Sequence, residues 1–257
     1  MNILCIGDVC GHAGCEHLST VLLALKRNEK IDFIIANGEN SADGNGILPH
    51  SMRALFDAGV DVITGGNHTF RRREIFDLLE SEERLLRPAN MPSSAPGRGA
   101  MLFDCGRTSV GVINLLGTTY MESLDCPFRA AERLVDELKA QGAKIIIVDF
   151  HAEATSEKRA MGFLLDGSVS AVFGTHTHVQ TADEQILPRG SGYITDLGMT
   201  GPVQSVLGVK PEIIISKFKD KLPARFEQAD GECELNGCIF TVDDRSGLCF
   251  GAKRVKI

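Results

Sequence analysis

Residues 144–151 read KIIIVDFH. Ile145, Ile146, Ile147 and Val148 form a β-branched run of strand length, which favours a strand over a helix. The run does not alternate with polar residues, so such a strand lies in a sheet covered on both faces. It then closes on His151, a side chain able to bind metal or carry a proton. Working outward, similar short apolar runs occur at 2–7, 33–36, 60–64, 109–115, 171–174 and 192–195. Helical patterns separate several of them, at 16–28, 51–58, 72–80 and 129–141. In the last, Ala130, Leu134, Val135 and Leu138 mark an apolar stripe at helical spacing. Strands alternating with helices predict an α/β fold built in layers.

The ends of these runs carry the chemistry. Gly7-Asp8 follows the first, Gly38-Glu39-Asn40 the second, Gly66-Asn67-His68 the third, His151 the one at 144–150, and His176-Thr-His178 the one at 171–174. In α/β folds, ligands bind beyond the carboxyl ends of the strands. Asp8, Glu39, Asn40, Asn67, His68, His151, His176 and His178 are therefore expected at one rim. Each has an ordinary reading: an Asp after a strand caps a helix or forms a turn, and paired histidines can lie on the surface. The same coincidence at every strand end, in order, favours a shared site. Residues i and i+2 of a strand face one side, which brings His176 and His178 together. Mixed oxygen and nitrogen ligands suit iron, manganese or zinc. Cys10 lies close enough to stand as a further candidate ligand.

The whole chain sets limits. With 257 residues, 43% of them hydrophobic and 24% charged, it can bury a sizeable core as one unit over 1–257. Excursions are expected near 87–99 and 198–212, the second as a flap or a homo-oligomer interface. A net charge of −7 argues against binding long nucleic acid. A small anionic substrate remains compatible, since metal ions supply local positive charge. Eight cysteines in a chain of this length, without a signal-like start, point to reduced thiols and a cytoplasmic protein. No run reaches the length of a membrane span. Cys233 and Cys238 lack the second pair that a zinc ribbon needs. The runs 238–242 and 249–255 flank DDRSG, a turn signal that predicts a hairpin.

The order of these motifs resembles the calcineurin-like metallophosphoesterases, and within them the YmdB-like branch. The most specific stretches are ANGENSADGNGI and DVITGGNHTF, and the likeness spans nearly the whole chain. Cys10 stands where that larger family has a histidine, Glu39 where it has a bridging aspartate, and Thr69 where many members carry an acid. The resemblance implies a four-layer αββα sandwich and a centre of two divalent or mixed-valence metal ions. It assigns Asp8, Glu39, Asn40 and His178 to one metal, and Glu39, Asn67, His151 and His176 to the other. It implies a phosphodiesterase that opens cyclic nucleotides, notably 2′,3′-cyclic ones, by attack of a metal-bound hydroxide. His68, beside the ligand Asn67, is the candidate proton donor to the leaving sugar oxygen. A phosphomonoesterase or nucleotidase is the alternative, as is a weakly active nucleotide-binding regulator of RNA processing. Loops 41–47, 118–121 and 199–203 are expected to line the substrate pocket, with Tyr120 or Phe70 against the base.

Overall fold

The computed structural model describes residues 1–43 and 45–257. The chain runs β1 (Asn2–Ile6), β2 (Asp8–Val9), α1 (Gly11–Asn28), β3 (Phe33–Asn37), α2 (Pro49–Asp57), β4 (Val62–Thr64), α3 (Phe76–Ser81) and β5 (Leu85–Leu86). It continues through β6 (Ala100–Asp104), β7 (Ser109–Leu116), α4 (Pro127–Ala140), β8 (Ile145–His151), α5 (Thr155–Leu165), β9 (Ala171–Thr175), β10 (Gln185–Ile186) and β11 (Gly192–Ile194). The last elements are β12 (Met199–Pro202), α6 (Pro211–Asp220), β13 (Cys233–Glu234), β14 (Asn236–Val242) and β15 (Cys249–Lys256).

Two six-stranded sheets hold the molecule together. The first has the order β15-β14-β1-β3-β4-β5, parallel from β1 to β5 and extended by the antiparallel β14–β15 hairpin. The second has the order β10-β11-β9-β8-β7-β6, with antiparallel strands at its edges. A small third sheet joins β13, β12 and β2, pairing Met199 with Asp8.

Side-chain alternation explains the layering. On β1, Leu4 and Ile6 face α1 and α2, while Ile3 and Cys5 face the second sheet. On β8, Ile145 and Ile147 face the first sheet, while Ile146, Val148 and Phe150 pack under α4 and α5. Every strand of this kind is buried twice, which is why the runs read as continuous rather than alternating. Three apolar strata between four layers make an αββα sandwich.

The middle stratum changes character at one end. There the inward positions become Asn37, Thr64, Asn114, Asp149 and Thr175, all fully buried. This polar plug lies at the carboxyl ends of the parallel strands, directly beneath the rim.

Several sequence expectations shift. Helix α1 begins at Gly11 rather than 16, because two glycines and a histidine hide its first turn. The helix expected at 72–80 divides into a 3-10 turn at Arg73–Ile75 and α3. The segment 198–212 contains β12 and is no free flap. The 87–99 loop is tied down at both ends, by Arg87 N–H on the Arg98 carbonyl and Asn114 N–H on that of Gly99. Among the described residues, no helix is long and apolar enough to cross a membrane.

Candidate metal centre

The parallel strands deliver their following residues to the same rim. Glu39, His151 and His176 each offer one ligand atom, and these three atoms lie within 4.8 Å of one another. His151 Nε2 is 2.9 Å from Asn67 Oδ1, 3.1 Å from His176 Nδ1 and 3.3 Å from Glu39 Oε1. Atoms that each sit about 2.1 Å from a shared cation are roughly 3.0–3.4 Å apart. The observed spacings fit that arrangement. Beside this group, His178 Nε2 lies 3.7 Å from Asp8 Oδ1 and 3.2 Å from the Asn40 amide nitrogen.

Asp8 gives the second test of fit. It is fully buried, and its Oδ2 accepts the His176 backbone N–H at 3.0 Å. Its Oδ1 is buried with no hydrogen-bond partner. An orphaned carboxylate oxygen is costly unless positive charge meets it. The local field is strongly anionic. Burial disfavours the charged form of His178, yet Cys10, Asp8 and Glu39 outweigh it and push the ring up to about 10. Burial and the neighbouring His151 push His176 down to about 3, so its imidazole is neutral with a free lone pair. Burial opposes the charge on Glu39, but His151 and His68 hold the carboxyl well below its ordinary range. Burial disfavours the charged form of His151 as well, but Glu39, Asp8 and Asp149 outweigh it and raise the ring. One neutral imidazole, two imidazoles whose positive charge the carboxylates favour, an ionised glutamate and a carboxylate oxygen without a hydrogen bond form a set in which a divalent metal would take the place of the ring protons.

The polar plug orients His151. Its Nδ1 donates to Thr175 Oγ1 at 2.9 Å, and that hydroxyl donates to Asp149 Oδ1 at 2.7 Å. Asp149 also accepts from Thr64 and from Asn37. With its proton held on Nδ1, the ring turns the Nε2 lone pair into the cluster. Burial raises the Asp149 carboxyl to about 6 even with these donors in place. Asn37, Thr64, Asp149 and Thr175 escaped the sequence reading. The available signal was a carboxylate inside the buried run at 145–150.

Residues 4–255 match the family model described as YmdB-like protein. The chain belongs to the YmdB-like family. It is 46% identical over 257 residues to a Bacillus subtilis (strain 168) protein named 2′,3′-cyclic-nucleotide 2′-phosphodiesterase, covering all of this chain and 97% of that one. It is similar, at TM-score 0.94 and 36% identity, to a solved structure described as a novel phosphatase from Mycoplasma pneumoniae, over 100% of this chain and 93% of that one. A putative 5′-nucleotidase from Staphylococcus aureus shares the fold at TM-score 0.62 and 16% identity, over 99% of this chain and 54% of that one. The fold is that of the metallophosphoesterases and 5′-nucleotidases. The YmdB-like chain is an enzyme of the hydrolase class.

Within this YmdB-like chain, Cys10 and Thr69 each have a structural explanation. Cys10 Sγ lies 3.7 Å from His178 Nδ1, on the side of the ring opposite the cluster. The Leu207 carbonyl, 3.2 Å from the same Nδ1, shares that position. Thr69 is buried and cross-braces its turn. Its hydroxyl accepts Gly66 N–H at 2.9 Å and donates to the Gly66 carbonyl at 2.7 Å. Gly66 itself sits against the cluster. A Cβ there would come within 2.3 Å of Glu39 Oε2 and 2.5 Å of His151 Nε2.

His176 and His178 converge by a route other than strand periodicity. Strand β9 ends at Thr175, and both histidines have left-handed backbone, with φ of 104° and 63°. Such strain persists where surroundings enforce it. Here Asp196 accepts the N–H of Thr177 at 3.2 Å and pairs with the buried Lys158 ammonium at 2.6 Å.

Asn40 and His68 meet at the mouth. The Asn40 amide nitrogen lies 3.1 Å from Glu39 Oε1, and its Oδ1 faces His68 Nδ1 at 3.0 Å. His68 N–H also donates to Glu39 Oε2 at 2.8 Å. His68 is partly exposed and lines a cleft of about 470 Å³ above the cluster.

Two of the expected pocket loops, 118–121 and 199–203, lie elsewhere. Tyr120 is 90% exposed, and Phe70 packs edge-on against Phe76. Met199 and Val203 line a separate hollow beyond His178. Gly44, within the 41–47 loop, lies outside the described residues. The cleft is walled instead by residues from 206 to 226. His12 stands exposed on α1, 3.9 Å from Glu16.

Proposed function

We propose that this chain is a metal-dependent phosphodiesterase that opens 2′,3′-cyclic nucleotides. The observation that carries the reading is the convergence of Asp8, Glu39, Asn67, His151, His176 and His178 with ligand-like spacing, around a buried carboxylate oxygen that has no partner. The name and 46% identity of the Bacillus subtilis relative support the substrate class. In this reading Asp8, Glu39, Asn40 and His178 hold one cation, and Glu39, Asn67, His151 and His176 hold a second. Ligation by Asn40 requires its amide turned end for end, so that the oxygen joins Asp8 and His178. The amide has the same outline either way round. Bound iron, manganese or zinc supplies Lewis-acid neutralisation of phosphoryl oxygens and acidifies a water.

The side chains do the rest. Glu39 contacts both halves of the cluster and fixes their spacing. The Asp149–Thr175 pair keeps the His151 proton off Nε2. With the Asn40 amide so turned, its nitrogen donates to His68 Nδ1, and His68 Nε2 carries the proton delivered to the leaving sugar oxygen. An alkoxide is a poor leaving group, so this step matters most for cyclic nucleotides. All eight cysteines are free thiols, which supports a reducing, cytoplasmic setting.

The test combines substrate and metal. Protein loaded with manganese is expected to hydrolyse 2′,3′-cyclic AMP in preference to 3′,5′-cyclic AMP and to nucleotide monoesters, and to stop on chelation. His68→Ala is expected to lower turnover of 2′,3′-cyclic AMP by about 100-fold or more, with metal content intact. Its effect on bis(p-nitrophenyl) phosphate, whose leaving group needs no proton, is expected to be far smaller. Equal losses on both substrates remove His68 from the role. Preference for monoesters transfers the chain to the nucleotidase reading.

A further inference from the structure

We infer that the cleft wall built from α6 and the segment after it is the seat of the substrate's nucleoside, with Phe226 as a stacking platform that accepts any base. This inference rests on the phosphodiesterase reading above.

The cleft joins two unlike surfaces. On one side stand His68, His176 and His178; on the other stand Phe218, Phe226 and Ile214. Its volume of about 470 Å³ falls within the usual range for small-molecule sites. A phosphoester reacting at the histidine side must lay its organic part against the apolar side.

The wall has the features of a binding surface rather than of core. Only Ile214 of α6 is buried. Phe218 is 65% exposed and Phe226 45% exposed. The chain has no tryptophan and two tyrosines, so phenylalanine is its main stacking residue. Lys217 Nζ lies 4.5 Å from the Phe226 ring centroid. That contact steadies the ring and places an ammonium in the cleft of a protein whose net charge is −7. A nucleotide offers both complements: a flat base and a phosphate.

The wall is also tethered to the centre. Lys210 N–H donates to the Glu227 carbonyl at 3.0 Å, and Ala229 N–H to that of Gly208 at 2.9 Å. These bonds hold the Phe226 segment against the 206–209 turn, whose Leu207 carbonyl meets His178 Nδ1. The described lining residues between 206 and 226 include no carboxylate or amide side chain; those of the cleft, Glu39, Asn40 and Glu153, lie with the histidines, Glu153 Oε2 being 3.2 Å from His176 Nε2. Recognition by an aromatic face without hydrogen-bond readout is tolerant of sequence. The four 2′,3′-cyclic nucleotides are therefore expected to react with similar kcat, purines showing somewhat lower KM.

The experiment compares 2′,3′-cyclic AMP with glycerol 1,2-cyclic phosphate, a base-free diester. In the unmodified protein the nucleotide is expected to have the higher kcat/KM. In Phe226→Ala that preference is expected to fall about tenfold, through KM, and Phe226→Tyr is expected to restore it. Thermal melting of each variant identifies any loss of fold, and Phe226→Tyr retains the ring if Phe226→Ala unfolds. An unchanged preference in Phe226→Ala overturns the assignment while the phosphodiesterase reading stands. A smaller sedimenting species, with both substrates affected alike, also overturns it and shows that the wall packs on a second copy. If the unmodified protein turns over neither diester, the underlying reading falls and this inference falls with it.

Discussion

Replacing Thr175 by valine keeps volume and removes one oxygen from the polar plug. That oxygen accepts from His151 Nδ1 at 2.9 Å and donates to Asp149 Oδ1 at 2.7 Å. Without it, His151 Nδ1 faces the Asn37 amide nitrogen, 3.4 Å away and itself a donor, and Asp8 Oδ1 at 4.0 Å, beyond hydrogen-bond reach. The imidazole proton then has no acceptor within hydrogen-bond distance, and the tautomer with its proton on Nε2, inside the cluster, gains ground. Asp149 keeps Thr64 and Asn37, so its loss is the smaller one. Leaving buried groups unsatisfied costs about 1–3 kcal/mol each, which gives ~3 kcal/mol for the pair. For a chain of this size that is a fall of roughly 6–12 °C in Tm. Loss of an outer partner of a metal-binding histidine also weakens affinity by about 10–100-fold. Manganese binding, measured by competition with a fluorescent chelator, reads the second effect, and calorimetric melting reads the first. Thr175→Ser, which keeps the hydroxyl, is expected to restore both. A Thr175→Val protein that melts early but binds manganese like the parent refutes the tautomer argument and leaves Thr175 a purely structural residue.

Two further outcomes follow from contacts described above. Gly66→Ala places a methyl 2.3 Å from Glu39 Oε2, so the purified variant is expected to hold less than one metal ion per chain by elemental analysis; full occupancy contradicts the proposed ligand set. Maleimide at pH 8 is expected to label the exposed Cys126 first. Burial pushes Cys15 up to about 12 and Cys105 to about 11, and raises Cys5 and Cys238 too, which keeps these thiols protonated and unreactive. Mass spectrometry showing early modification of Cys5 contradicts that burial.

What the sequence revealed depended on how each residue's role is encoded. The run at 144–151 announced a doubly covered strand because both of its faces meet apolar layers. The polar residues that gather at the rim were legible because each directly follows such a run. Helix α5 was not legible. Its buried face carries Glu157, Lys158 and Gly162, and Gly162 lies so close to the Tyr193 ring that no apolar stripe forms. Helix α6 was missed for a different reason: three adjacent isoleucines and Phe218 are its whole apolar content, and with only Ile214 buried the stripe is too short to mark a helix. Asn37, Thr64, Asp149 and Thr175 acquire partners only when two sheets pack, so nothing local to any one of them marks its task. The 174–178 turn was read as strand because alternating Thr and His imitates period-two spacing, while its left-handed backbone leaves no trace in composition.

That turn has one more implication. His176 and His178 reach into different halves of the cluster, yet two peptide bonds join them. Sliding of one large sheet over the other would change the distance between Glu39 and His151, which are carried by β3 and β8 of different sheets. It leaves the spacing between the two histidines to covalent geometry. The short link therefore acts as a ruler: in the proposed ligand set, any shift between the sheets would be limited by the two peptide bonds that join one histidine of each half.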